Sequence, residues 1–354
     1  MKWILIAMAL AVAACNPTGG DIGAIGGGDL TVSTEAAHQS ATPLLPVPPT
    51  ATLTPVPATR RVVSVFMGGD FDGANPDRNV HGVRSDVFVI AVADVPPAKA
   101  DPITVTLISL PRDLHVPVAC TPWESGLDRI NVAWHYGKWQ CVADTVQAAT
   151  GLTVNGGMFY TEFAGFVDLV DVMGGLTLVP GEDFYDFCGL SGGGGDWYYL
   201  KAGREVTLDG QHALCYVRAR DHAPKGDLTR NVRSAAMLQA MAEQWPARML
   251  TGDVSLRDLV LFTSTLSQYV ATPIDWMNIV QAHGADALAV LAGERSVEWR
   301  TVTMTYDEVK GATTENGASV LEPLVDVPMW IACMLDPATP GGRQTCTDMM
   351  TLLP

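Results

Sequence analysis

Positive charge is scarce in this sequence. Its 354 residues include 22 lysines and arginines against 38 aspartates and glutamates, which gives a formal net charge of −16 at pH 7. General nucleic-acid binding relies on basic surfaces that neutralise phosphates, so this balance argues against a nucleic-acid partner. Charged residues make up 17% of the chain and hydrophobic residues 48%, which is enough to form a full core.

Several catalytic and metal-binding patterns are also missing. The seven histidines have no spacing typical of a catalytic triad. Ser109 stands beside Pro111 without the glycines of a nucleophile elbow, which argues against a serine hydrolase. No Cys-x-x-Cys pair or histidine at finger spacing indicates a zinc site, and the sequence shows no internal repeats.

The first fifteen residues have the pattern of an export signal. A short basic start is followed by an apolar run over residues 3–11 and by small residues before Cys15. This resembles a bacterial lipoprotein signal, so we expect Cys15 to be lipidated and to anchor the chain on the extracytoplasmic face of a bacterial membrane. The alternative is ordinary secretory cleavage, with Cys15 incidental. No later run has the length and apolarity of a transmembrane helix.

The next segment, residues 16–60, is nearly uncharged and is rich in glycine, then in proline and threonine. It has too little apolar surface to fold, so it is predicted to be a disordered tether. Six cysteines lie beyond it, and an even number in an exported chain predicts disulfides. Among the possible pairings we favour sequence neighbours: Cys120–Cys141, Cys188–Cys215 and Cys333–Cys346.

Three apolar, β-branched runs follow in quick succession and predict strands over residues 61–67, 86–93 and 103–110. The link between the second and third runs is too short for a crossover helix, and the first link shows no helical period. An antiparallel meander is therefore expected. Such a meander brings the end of the first strand, the start of the second and the end of the third to one sheet edge. The charged residues at that edge are Asp70, Arg84, Asp86, Arg112 and Asp113.

An island of positive charge stands at residues 216–233, which read YVRARDHAPKGDLTRNVR. Arginine at this density suits bidentate binding of phosphate or carboxylate oxygens. Asp227 is predicted to be the N-cap of a helix over residues 228–244 that Pro246 ends. Basic residues near a helix N-terminus are mildly unfavourable unless an anion offsets them, so the segment predicts an anion site. Its basic residues are Arg218, Arg220, Lys225, Arg230 and Arg233.

The remaining pattern alternates strands and helices. Such alternation predicts an α/β fold with a central mixed sheet and helices on both faces. Residues 180–199, which include four consecutive glycines, are predicted to be a loop. Residues 246–354 are predicted to continue the domain that begins at residue 61. The other predicted elements are helices over 141–150, 163–173, 256–270 and 274–292, and strands over 158–162, 176–179 and 297–305.

Seven motifs occur together and in order: GGD at 68–70, RSD at 84–86, LPRD at 110–113, RIN at 129–131, GFVDLVDVMGGL at 165–176, LDGQHALCYVRAR at 208–220, and the basic segment itself. Over roughly residues 63–244 the chain thereby resembles the LytR-CpsA-Psr family, so residues 61–245 would form its catalytic domain. The resemblance implies an αβα sandwich. It also implies magnesium-dependent transfer (manganese being a possible substitute) of a phosphorylated glycopolymer from a polyprenyl-pyrophosphate carrier to a cell-envelope hydroxyl, usually on peptidoglycan.

The resemblance also assigns roles to individual residues. Asp70 and Asp86 match metal-binding aspartates, and Asp86 also joins the catalytic set. The other catalytic matches, which would grip the pyrophosphate or stand beside it, are Arg84, Arg112, Asp113, Arg218 and Arg220. The substrate-binding matches are Arg129, Asn131, Asp227, Arg230 and Arg233.

Some features depart from the family pattern. Arg129 replaces a usual lysine, Ser234 replaces a usual glutamine, and the link from Asp70 to Arg84 is long. These departures affect the expected identity of the acceptor more than the expected chemistry of the donor. Two alternative functions stay open, namely hydrolysis of the polyprenyl pyrophosphate and non-catalytic binding of anionic polymers. Four apolar residues at helical spacing could line a lipid groove, although ordinary core is the favoured interpretation: Phe163, Phe166, Val167 and Val170.

Overall fold

The computed structural model describes residues 58–69, 85–189, 195–219, 226–274, 276–336 and 345–348. Five residues singled out in the sequence lie outside these ranges: Cys15, Asp70, Arg84, Arg220 and Lys225. The predicted signal and nearly all of the predicted tether also lie outside them. Among the helices of the described part, none has the length and apolarity to cross a membrane.

The described elements alternate along the chain. The strands are β1 (Arg60–Gly69), β2 (Ser85–Val95), β3 (Ile103–Ser109), β4 (His115–Pro117), β5 (Leu127–Arg129), β6 (Met158–Glu162), β7 (Leu176–Leu178), β8 (Phe184–Gly189), β9 (Gly195–Leu200), β10 (Val206–Leu208), β11 (Val270–Ala271), β12 (Val297–Thr303), β13 (Val309–Thr313) and β14 (Ser319–Pro323). The helices are α1 (Ala133–Thr150), α2 (Phe163–Val172), α3 (Gly210–Arg218), α4 (Asp227–Thr251), α5 (Leu256–Tyr269), α6 (Trp276–Leu291) and α7 (Val327–Leu335).

A six-stranded mixed sheet in the order β11-β6-β1-β2-β3-β12 forms the centre of the fold. The predicted meander is confirmed, because β2 is antiparallel to both β1 and β3. On either side of it, β6 runs parallel to β1 and β12 runs parallel to β3. Ile90 and Ala91, neighbours on β2, are both fully buried, so both sheet faces are covered. This explains why β2 is a continuous apolar run and not an alternating one.

Helices cover both faces of the sheet, as predicted. On one face, Val65 and Ile90 pack in a core cluster with Val146 of α1 and Trp330 of α7. On the other face, Ala91 packs in a cluster with residues of α4 and α6. A further cluster joins α2, α3, α4 and α5 beside the sheet. The α/β architecture with a mixed central sheet and helices on both faces is therefore confirmed.

The helix after the basic segment differs from the prediction in both its ends. Gly226 is its N-cap, so Asp227 is its first helical residue. The helix also runs through Pro246 and ends at Thr251. Proline removes one intrahelical hydrogen bond, but Pro246 is buried against other side chains, and such packing can outweigh the loss. The helix ends where Gly252 adopts a left-handed conformation with φ 79°.

Two further predictions need correction. The predicted loop over residues 180–199 contains the antiparallel hairpin of β8 and β9. The first helix begins at Ala133, well before the predicted residue 141, because a kink at Gly137 and Lys138 joins two helical pieces. The predicted disulfides are confirmed. All three pairs of sequence neighbours are joined: Cys120–Cys141, Cys188–Cys215 and Cys333–Cys346.

Candidate active site

A chain of ion pairs marks the sheet edge where the meander brings its charged ends together. Arg112, just after β3, donates from Nη1 to Asp86 Oδ1 of β2 at 2.5 Å. Its Nε donates to Asp113 Oδ2 at 3.2 Å. On the other side of Asp113, Arg129 Nη1 lies 3.9 Å from Oδ1. The structure thus brings together three of the five residues predicted at this edge, with Arg129 added.

The carboxylates hold Arg112 in its charged form. Its side chain is 20% exposed, and burial by itself would lower its pKa. Nearby Asp86 and Asp113, with a weaker contribution from Asp227, outweigh burial and raise the pKa of Arg112. The guanidinium therefore stays positive at any physiological pH and neutralises part of the acidic cluster.

Asn131 lies behind Arg112. Its backbone N–H donates to the Arg112 carbonyl oxygen at 3.2 Å, and the residue is 1% exposed. The Oδ1 atom of Asn131 has no hydrogen-bond partner among the described residues. The position of Asn131 therefore suits holding the Arg112 loop in place, and Asn131 is not among the residues that line the cavity described below.

The arginines of the basic segment have different surroundings. Arg230 is 3% exposed, and its Nη2 lies 3.5 Å from Asp227 Oδ1. Arg218, the last residue of α3, places its guanidinium carbon 4.1 Å from the ring centre of Phe163. Arg233 is clamped elsewhere, because its Nη2 donates to Glu182 at 2.8 Å. The guanidinium of Arg233 also lies over the rings of Phe184 and Tyr216, so a cation–π attraction adds to its ion pair with Glu182.

A largely apolar cavity of about 150 Å³ lies between α4, α2 and the edge of the sheet. Of the described site candidates, three line it, namely Asp86, Arg218 and Arg230. The others do not: Arg112, Asp113, Arg129, Asn131, Asp227 and Arg233. The rest of its wall is almost wholly apolar. The cavity residues of α4 are Arg230, Ser234, Met237, Leu238, Met241, Trp245 and Pro246. They form one stripe at helical spacing, which at 1.5 Å per residue extends about 22 Å from Arg230 to Trp245.

Two of the four apolar α2 residues considered for a lipid groove belong to the cavity wall. Phe163 and Phe166 line the cavity and are also packed, partly buried, against the core cluster beside the sheet, so ordinary core describes only part of their surroundings. Val167 and Val170 do pack in the core, as preferred. All four residues belong to one helical stripe, because residues three or four apart share a face, and Phe163 and Phe166 lie on the side of that stripe that meets the cavity. Helical spacing alone could not show that one edge of the α2 stripe faces a cavity.

Glu162 is a cavity residue that the sequence analysis missed. It ends β6 and stands opposite Gly69, the last residue of β1, in the parallel register. Because parallel strands end at one sheet edge, placing β6 beside β1 would have revealed it. Burial raises the pKa of the Glu162 carboxyl. Gly69 is also constrained, since a Cβ there would come 1.9 Å from the Tyr160 hydroxyl.

The raised pKa of Glu162 predicts a pH-dependent effect on stability. The penalty is absent below the unfolded-state pKa, because the carboxyl is then protonated in both states. It grows as pH rises through the higher folded-state pKa. Glu162→Gln, which removes the charge, should therefore unfold at the same temperature as wild type near pH 4 and at a higher temperature at neutral pH. A thermal-unfolding series across pH would measure this, and equal melting temperatures at neutral pH would contradict it.

Comparison with known proteins agrees with this geometry. The profile of the LytR_cpsA_psr family matches residues 31–323. The chain belongs to this family. The LytR-CpsA-Psr match is wider than the motif-bearing region recognised in the sequence, since it also takes in α5, α6 and β12 to β14.

Individual LytR-CpsA-Psr relatives share part of this chain. A probable cell wall biosynthesis protein, LcpB of Corynebacterium glutamicum, is 36% identical over 139 residues, or 38% of this chain and 30% of LcpB. TagU of Bacillus subtilis, named a polyisoprenyl-teichoic acid–peptidoglycan teichoic acid transferase, is 30% identical over 138 residues, or 39% of this chain and 40% of TagU. The matches therefore span less than half of either relative.

A solved LytR-CpsA-Psr structure shows the same fold. The crystal structure of Bacillus subtilis TagV superimposes with a TM-score of 0.53 at 20% identity, and the match covers 82% of this chain and 95% of TagV. The agreement extends to most of the described α/β architecture.

Proposed function

We propose that this chain transfers a phosphorylated glycopolymer from a polyprenyl-pyrophosphate carrier to a hydroxyl group of a cell-envelope polymer such as peptidoglycan. One observation carries the proposal. A single cavity connects Asp86, Glu162, Arg218 and Arg230 with a wall that is otherwise largely apolar. A donor in which a hydrocarbon chain is joined to a charged diphosphate has matching apolar and charged parts. The activity in the name of the TagU relative supports this substrate class.

The apolar wall suits the lipid part of the donor. An apolar cavity of about 150 Å³ is large enough to bind a benzene-sized hydrocarbon. The stripe on α4 continues that surface over several turns, between α2, α5 and the sheet. Burying each CH₂ group of a prenyl chain would contribute about 0.8 kcal/mol. Binding energy from this remote part of the donor can then hold the diphosphate at the charged end.

The charged end suits the diphosphate. Arginine binds phosphate oxygens through two parallel N–H donors, and Arg218 and Arg230 reach the cavity from two different helices. Arg112 lies beside Asp86 and adds a third guanidinium. In the proposed reaction, the acceptor oxygen attacks the sugar-linked phosphorus and loses its proton. The bond to the leaving polyprenyl phosphate breaks, and a phosphodiester forms. The fixed positive charges would stabilise the charge that develops on the phosphoryl oxygens.

Magnesium, or manganese in its place, fits the chemistry of these donors. Hard cations of this kind are bound through one or two carboxylates together with substrate phosphates. Asp86 lines the cavity, and Asp70, which follows β1 directly in the sequence, would be the second ligand. The described residues contain no group of three or more acidic, cysteine or histidine side chains able to hold an ion alone. Because such an ion also takes oxygen ligands from the substrate phosphates, it would bind together with the diphosphate and neutralise part of its charge.

We also propose that the enzyme works outside the cytoplasmic membrane, held there by a lipid on Cys15. The signal pattern of residues 1–15 and the cell-wall role named for the LcpB relative support this placement.

Transfer of labelled glycopolymer from a lipid-linked donor to purified peptidoglycan would test the proposed function. Label should become acceptor-bound when Mg²⁺ is present, and EDTA should stop the reaction until Mg²⁺ is restored. Release of free sugar phosphate without an acceptor-bound product would indicate a hydrolase instead. Retained polymer binding in EDTA with no turnover under any condition would indicate a non-catalytic binder.

A further inference from the structure

The hairpin of β8 and β9 has two faces of different character. Phe184, Cys188 and Leu200 point inward and are 1%, 4% and 5% exposed. They belong to the core cluster that also contains residues of α2 and α3. The Cys188–Cys215 disulfide fastens the hairpin to α3. Because side chains alternate along a strand, the next residues must point away from the core.

Four aromatic side chains occupy that outward face. Their exposed fractions are 45% for Tyr185, 49% for Phe187, 57% for Trp197 and 56% for Tyr199. The register places Tyr185 opposite Tyr199 and Phe187 opposite Trp197. The rings of Tyr185 and Trp197 stack with centres 4.8 Å apart, and Phe187 meets Trp197 edge-on at 5.6 Å. We name these four residues the aromatic ladder.

The ladder is well suited to binding a ligand. Only 7% of the chain is aromatic, yet four large rings stand half-exposed together on one small hairpin. Contiguous exposed apolar surface of this kind marks interaction sites in soluble proteins. The rings do not hold the hairpin in place, because its inner face and its disulfide already do so.

Charge around the ladder narrows the choice of ligand. Residues 182–200 contain four acidic residues and no basic residue. Arg233 offsets Glu182 and Lys201 offsets Asp183, which leaves Asp186 and Asp196 as the local excess. An anionic lipid surface or a polyphosphate would be repelled there. An uncharged sugar fits, since its C–H face can lie against the electron-rich ring faces and its hydroxyls can donate to carboxylates.

The hairpin that carries the ladder is also joined to α4 beside the candidate active site. Glu182, two residues before Phe184, accepts a hydrogen bond from Arg233 at 2.8 Å. The ring of Phe184 lies 5.0 Å from the Arg233 guanidinium carbon. Arg230, one helical turn before Arg233, lines the cavity. A sugar chain lying on the ladder would thus begin close to the arginine-bearing end of α4.

From these observations we propose that the aromatic ladder binds the uncharged sugar backbone of the acceptor polymer. The assignment to the acceptor rests on the proposed function, because the donor lipid and diphosphate already have a place in the cavity. The ladder would hold the acceptor strand so that one of its hydroxyls reaches the diphosphate.

Binding of chitohexaose, a soluble and uncharged N-acetylated sugar chain, would test the ladder without donor or metal. Calorimetric titration of the purified protein should show saturable binding. The double variant Tyr185→Ala/Trp197→Ala should bind about tenfold more weakly or worse, because truncating aromatic anchors commonly costs more than about 1 kcal/mol each. Trp197→Phe, which keeps a ring, should retain most of the affinity. Tyr306→Ala is the matched control, since Tyr306 is 56% exposed, as Tyr199 is, and lies outside the hairpin.

The outcomes separate the ladder from the proposed function. Absence of chitohexaose binding by wild type, or equal affinity in the double variant, overturns the ladder proposal even if transfer occurs. Ring-dependent sedimentation with phosphatidylglycerol vesicles but not with sugar overturns it in favour of a membrane contact. If sugar binding depends on the rings but the protein transfers no glycopolymer, the ladder proposal is supported and only the transferase proposal is contradicted. Near-ultraviolet circular dichroism and the melting temperature establish that each variant is folded.

Discussion

Arg112→Ala is expected to reduce kcat/KM for glycopolymer transfer by about 10³-fold, the upper end of the range for removing one preorganised donor to developing negative charge. The physical reason lies in the ion-pair chain. Arg112 contacts both Asp86 and Asp113, so its loss removes a positive charge and leaves two neighbouring carboxylates without their shared partner. The site would then repel the diphosphate it should bind. Arg112→Lys should recover only part of the activity, because lysine keeps the charge but cannot form both contacts in one plane.

Arg61→Ala is a suitable control for Arg112→Ala. Arg61 also pairs with an aspartate across β1 and β2, at 2.7 Å from Asp94. The Arg61–Asp94 pair is at the opposite end of these strands, and the Arg61 side chain is 44% exposed. Its loss should leave transfer unchanged, as expected for a surface ion pair. Transfer assays on both variants, with melting temperatures to exclude unfolding, would make the comparison. Unchanged turnover in Arg112→Ala would remove Arg112 and its ion-pair chain from the proposed mechanism.

The charged half of the site could be predicted from the sequence because it depends on local connections. The link between β2 and β3 is short, and it forces an antiparallel pair whose free ends meet. That topology alone places Asp86 near Arg112, and the structure contains this contact. The family motifs then gave these residues candidate roles. Neither step needed knowledge of how distant segments pack.

The apolar half could not be predicted in the same way. The cavity wall combines residues of β1, β2, β6, α2, α3, α4 and α5, which are far apart in the sequence. Its residues have the spacing of ordinary core, and only the packing of helices against one another decides whether a stripe meets a neighbour or a void. The β8–β9 hairpin was missed for a different reason. The glycines at residues 192–195 dominated the pattern and obscured the alternation on either side.

Met241→Trp is expected to distinguish the lipid part of the donor from its charged part. Met241 lines the cavity on α4, about three helical turns beyond Arg230, so a larger side chain there would occupy the apolar end and leave the arginines in place. Overfilling a packed apolar site costs up to about 3 kcal/mol, which corresponds to roughly 100-fold weaker binding. The KM for a donor with a full-length polyprenyl chain should rise by about that factor. A donor with a chain of only two isoprene units, too short to reach Met241, should be used as well as by wild type.

Met329→Trp provides the matched control for this substitution. Met329 lies on α7 and is 52% exposed, so the same change adds the same volume at a surface position. Its KM for both donors should stay at the wild-type value. The dependence on chain length is the decisive observation, because a general disturbance of α4 would weaken binding of both donors equally. Equal KM increases for the long and short donors in Met241→Trp, or no increase for either, would show that the prenyl chain lies elsewhere. A selective increase would support the apolar stripe from Ser234 to Trp245 as the surface along which the carrier lipid binds.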